Sequence, residues 1–142
     1  MPIDLNEFDR KMASKGFVLL EKLCEQTVLA QLKSVCQVRS KILHEALGDK
    51  DIGIGSVNGY DEIVQRSKDR WDIPISEVEF GFDAKALPWW PFVARLLGDD
   101  AEHAFSGVVS SEPGSPAQEW HIDSPHASVE HLPAHMLNVF VA

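Results

Sequence analysis

The feature that most constrains this chain is a change of period along it. Up to about residue 100 the apolar residues recur at helical spacing. From residue 103 they alternate as strands do. Helices first and strands afterwards argue for an α+β domain whose strands form a sheet or a barrel wall.

Each helical stretch carries its own stop signals. Asp4, with Glu7 three residues on, makes a capping-box-like start. Leu5, Phe8 and Met12 then share a face, and Gly16 is placed as a terminating glycine. Glu25 to Leu47 is the longest helix expected, with Leu29, Leu32, Val35, Cys36, Ile42 and Leu43 near helical period and Gly48 as its stop. Pro91 suits the first turn of a third helix carrying Phe92, Val93, Leu96 and Leu97, closed by Gly98.

Between these lie stretches of other character. Phe17-Val18-Leu19-Leu20 reads as a buried strand. The glycine-rich segment 49–62 reads as a loop. Its GIGSVNG resembles a dinucleotide fingerprint only superficially, because the third glycine is one place late and no βαβ unit surrounds it. Segment 67–75, SKDRWDIPI, holds a short extended piece. Three strands are expected after residue 103: Ala104–Ser110, Gln118–Asp123 and His135–Val141, with a Pro-Gly turn at 112–116 and a loop at 124–133. There is no internal repeat. Ala142 falls within the last apolar strand, which predicts an unpaired sheet edge there.

A length of 142 residues suits one domain, with 44% apolar and 25% charged residues. The net charge of −9 argues against a phosphate-tracking surface, hence against nucleic acid as a partner, while a single basic side chain could still hold a small anion. No apolar stretch is long enough to span a membrane, and the charged N-terminus lacks a secretory apolar core. An intracellular, cytoplasmic protein is expected. Cys24 and Cys36 are placed on one helix, roughly 18 Å apart by helical rise, too far for a disulfide.

The chemistry-bearing candidate is His121-Ile122-Asp123. With six histidines and eleven aspartates in 142 residues, a His-x-Asp arises by chance about half a time. The spacing matters because residues i and i+2 on a strand face the same way, so His121 and Asp123 could meet at one metal ion. They would supply two parts of a 2-His-1-carboxylate triad. On the same reasoning Trp120 faces the opposite side. Trp71, Trp89, Trp90 and Trp120 are read simply as core or rim aromatics.

Three stretches taken in order resemble the phytanoyl-CoA dioxygenase (PhyH-like) family: GFVLLEKLCEQTVLAQLKSVC, then SGVVSSEPGSPAQEWHIDSPH, then LNVFVA. The resemblance covers nearly the whole chain and is weakest over 49–100. It implies a double-stranded β-helix (jelly roll) holding non-haem Fe(II), with 2-oxoglutarate as cosubstrate and a small molecule or acyl-CoA as substrate. His121 and Asp123 match the family's first two metal ligands. Phe140 falls where relatives carry an aromatic near the cosubstrate, and Lys68 or Arg70 matches a basic position near it. A carboxylate at Asp123 implies hydroxylation rather than halogenation.

The family also needs a distal histidine and, about ten residues further on, an arginine for 2-oxoglutarate. Neither has a counterpart here. His126, His131 and His135 follow the motif but do not occupy the distal position, and His44 and His103 have no motif context. The expectation is therefore the N-terminal part of a longer dioxygenase domain. The alternatives are a short non-catalytic or vestigial module on the same fold, or an unrelated α+β domain with an accidental His-x-Asp.

Overall fold

The computed structural model describes residues 4–48, 50, 52, 62–121 and 134–142. These form an α+β arrangement of four helices and a three-stranded antiparallel sheet. In chain order the elements are α1 (Leu5–Lys15), α2 (Gln26–Leu47), β1 (Val64–Ser67), β2 (Arg70–Pro74), α3 (Glu77–Phe80), a 3₁₀ turn (Ala84–Ala86), α4 (Trp90–Leu97) and β3 (Gly107–Ser111).

The helix ends follow the local signals. The Asp4 side chain accepts the Asn6 N–H, and Gly16, at φ 74°, closes α1 by donating to the Met12 carbonyl. Gly48 donates to the His44 carbonyl at the end of α2, and Pro91 lies in the first turn of α4. The short α3 was not expected from periodicity. It owes its start to a full capping box in which Ser76 and Glu79 satisfy each other's backbone N–H.

The 67–75 stretch proves to be more than one extended piece. Its two ends belong to two strands joined by a Lys68-Asp69 turn, with Asp69 at φ 61°, a conformation Asp tolerates better than most side chains. Strand β3 then pairs with β2 from Arg70↔Ser111 to Pro74↔Gly107. Strand parity separates the two faces. Trp71 and Ile73 are buried with Leu43 of α2, and Leu47, Ile63 and Val108 pack against them. Arg70, Asp72 and Pro74 alternate to the other face.

The remaining helices are tied together by aromatic and charged contacts. The Phe8 and Phe92 rings lie 4.9 Å apart, and the Arg95 guanidinium clasps the Asp9 carboxylate beside them, so α1 docks on α4. Arg39 of α2 reaches the Glu79 carboxylate at 3.3 Å and holds α3 against the long helix.

Three expected strands are corrected. Residues 17–20 are irregular, with Phe17 and Leu19 mostly exposed. Residues 118–121 have no strand structure, and neither does 134–142. An apolar run becomes a strand only when a neighbour takes up its N–H and C=O groups, and no ladder partner flanks these runs among the described residues. Helix α2 also begins after Cys24, so only Cys36 lies on it. Both thiols are free, and burial pushes the pKa of each up, which makes them poor nucleophiles. Among the described residues no helix is long and apolar enough to cross a membrane.

Candidate functional site

The approach to His121 begins at β3. Directly after that strand the Glu112 N–H donates to the Asp69 carbonyl at 2.8 Å, and Ser115 N–H donates back to Glu112 at 3.1 Å. The Pro-Gly turn is thereby tied to the β1–β2 hairpin. The Glu112 side chain adds a second tie: its Oε1 lies 2.9 Å from Nε2 of His44, near the end of α2. The two atoms are close, but the alignment there falls short of a hydrogen bond. The His44 ring also meets Trp71 edge-on, with centroids 6.1 Å apart. This anchor was invisible in the sequence, because 68 positions separate His44 from Glu112 and no local pattern links them.

Beyond the turn the chain runs exposed from Pro116 to His121. Trp120 is fully exposed, so it is neither core nor rim, and the expected alternation of Trp120 and His121 across a strand does not occur. The His121 ring is oriented by its own backbone, with Nδ1 2.7 Å from the Glu119 carbonyl oxygen. A carbonyl oxygen can only accept, so Nδ1 is the donor in this contact. Asp123, the second expected ligand, lies outside the described residues, as do His126 and His131. His135 is exposed on the irregular 134–142 segment.

The other expected site residues are scattered. Lys68 is exposed at the tip of the β1–β2 hairpin. Arg70 is half-buried, and its Nε donates to Ser111 Oγ at 3.0 Å across the β2–β3 pair. By strand parity Arg70 lies on the sheet face away from Trp71, Ile73 and α2. Phe140 is 78% exposed, so its ring lines no pocket within the described structure.

The remaining histidine outside the motif, His103, sits with Nδ1 3.5 Å from Glu77 Oε2, and Glu77 also caps the Ala84 N–H. These contacts read as structural. Among the described residues no group of three His, Cys, Asp or Glu side chains is arranged to hold a metal ion. No family model, curated protein or solved structure matches this chain.

Proposed function

We propose that this chain supplies the N-terminal part of a PhyH-like dioxygenase domain, which uses Fe(II) and 2-oxoglutarate to hydroxylate a small molecule or an acyl-CoA thioester. The observation that carries this reading is the His121–Glu119 contact of 2.7 Å. Metal-bound histidines commonly donate one ring N–H to a carbonyl and ligate through the other nitrogen. The arrangement suits Nε2 of His121 as a ligand, with the Asp123 carboxylate two residues on as the second.

The donor set fits Fe(II) in kind, one imidazole and one carboxylate. Bound iron with 2-oxoglutarate would supply the O₂-dependent oxidation. The chain's own task is to hold two donors in place and to present positive charge to an anionic cosubstrate. Arg70 is suited to the second role, since a guanidinium fixed at Nε still carries N–H groups of the kind that grip a carboxylate. Lys68 is a second candidate for that role, and Phe140 would contribute an aromatic wall if the 134–142 segment paired as a strand. The reading assigns the family's distal histidine and 2-oxoglutarate-binding arginine to sequence beyond these residues, and their sheet would complete a jelly roll over the Arg70 face. It places the protein in the cytoplasm, with a small-molecule substrate and with neither nucleic acid nor membrane as a partner.

A second reading, a non-catalytic or vestigial module on the same fold, is favoured by the exposure of Phe140 and the irregular 134–142 segment. Fe(II) binding measured with and without 2-oxoglutarate separates the two. The dioxygenase reading expects each ligand to tighten the other, with both effects lost in His121→Ala and in Asp123→Ala. Equal Fe(II) affinity in the presence and absence of 2-oxoglutarate would favour the module. Fe(II) binding unchanged in both variants would remove the metal site altogether. The 142-residue chain alone is expected to form no succinate from 2-oxoglutarate.

A further inference from the structure

Strand β3 has a ladder partner on one side only, because the sheet order is β1-β2-β3. Its register identifies which groups face outward. Ile75 N–H donates to the Ser106 carbonyl and Glu112 N–H to the Asp69 carbonyl, so 75/106 and 69/112 are hydrogen-bonded pairs. Antiparallel pairs alternate, which makes 73/108 and 71/110 hydrogen-bonded as well. The N–H and C=O groups of Gly107, Val109 and Ser111 therefore point away from β2. Among the described residues none of the three has a partner on that side.

Sheet edges are usually blunted by charge, proline or a bulge. This one has none of these: its sequence is GVVSS, and its pairing with β2 is regular throughout. The chain as a whole carries a net charge of −9, which opposes self-association, yet no charge falls on this strand.

We infer that β3 is a self-complementary edge through which two copies of this chain pair antiparallel about a two-fold axis at Val109. The parity of the register supports this. A two-fold at Val109 sets Val109 opposite Val109 and Gly107 opposite Ser111, so every outward-facing residue meets another outward-facing residue. Both exposed Val109 side chains, each 57% accessible, then cover one another on the same sheet face. Glu112 of one copy falls opposite Ser106 of the other, so no like charges meet. The ladder ends beyond that point, because Pro113 has no N–H to give. The product is a continuous six-stranded sheet with an isologous interface. The inference concerns the 142-residue chain itself; in the longer domain proposed above, the sheet laid over the Arg70 face would also cover Val109, so the two are alternative ways of covering one face.

The test is the solution mass of the full chain by light scattering over a wide concentration range. The mass is expected to rise from 15.8 kDa towards twice that value. Val109→Lys places two like charges at the axis and is expected to hold the mass at the monomer value with an unchanged circular dichroism spectrum. In a Cys24→Ser/Cys36→Ser background, Val109→Cys is expected to form a covalent dimer on mild oxidation, since paired Cα atoms in such a ladder lie about 5.5 Å apart. A wild-type chain that stays monomeric throughout overturns the proposal. A dimer that survives in Val109→Lys also overturns it and turns attention to residues 134–142 as the contact.

Discussion

Gly107–Ser111 and Leu137–Val141 make an instructive pair. Each is a five-residue, uncharged stretch with valine near its centre. The first is a strand and the second is irregular. Intrinsic preference does not separate them, because LNVFV has at least as much β-branched and aromatic character as GVVSS. What separates them is a neighbour. Strand β2 lies beside the first with a complementary register, and Ile73 and Val108 close over the same core. The second has no ladder partner among the described residues. The comparison extends to Phe17–Leu20, another apolar run whose alternate side chains face solvent.

The largest expected effect comes from removing the neighbour. Ile73 is 2% exposed at the centre of β2, and Ile73→Ala should cost about 2–5 kcal/mol. Urea denaturation followed by tryptophan fluorescence would measure it, and β3 should be lost together with β2. Separate loss of the two would break the claim that one strand makes the other.

A somewhat smaller effect is expected at Gly107. A Cβ there would stand 2.5 Å from the Ile73 carbonyl oxygen, which is backbone and cannot move aside cheaply. Gly107→Ala should destabilise by about 1–3 kcal/mol in the same assay, through overpacking at the β2–β3 seam.

Acid should act on the helical side of the molecule. Asp9 is held below the usual carboxylate range chiefly by its hydrogen bond from Arg95, and Glu79 chiefly by the Ser76 backbone N–H. Because both folded values lie below the unfolded ones, their contribution is complete at neutral pH. It is lost as pH falls through the folded values. Asp9→Asn should therefore flatten the acid limb of stability against pH without altering its alkaline side. Equal acid limbs in wild type and variant would show that the Asp9–Arg95 clasp between α1 and α4 adds nothing.

The smallest effects belong to exposed side chains of the two runs that form no strand among the described residues. Leu19 is 74% exposed and Phe140 78% exposed, so Leu19→Ser and Phe140→Ser should each change stability by no more than about 0.5 kcal/mol. A cost above about 2 kcal/mol at Phe140 would mean that its segment is packed in solution, and would sharpen the case for an aromatic wall near a cosubstrate.

Each candidate residue can be named from local sequence alone. The His-x-Asp spacing, the Pro-Gly turn ahead of it and the basic 68–70 stretch are all patterns of near neighbours. The way His121 is oriented is not legible there. Sequence alternation implied a strand presenting the ring, whereas the ring is held by the carbonyl of Glu119 in an irregular segment. The Arg70–Ser111 bond and the His44–Glu112 contact are equally hidden, since both join residues that only the β2–β3 register and the packing of α2 bring together.

By itself the sequence determined several of the helix ends. Asp4, Gly16, Gly48, Pro91 and Gly98 act within a few residues of themselves, because a helix closes its hydrogen bonds four residues along its own chain. Only the tertiary structure decided which strand-like runs became strands, that α1 would dock on α4 through Phe8 and Phe92, and that a side chain at position 107 would crowd the Ile73 carbonyl. The reason is the same in each case. A strand's hydrogen bonds, an aromatic pair and a close backbone approach all need a partner distant in sequence, and no local pattern states which partner arrives.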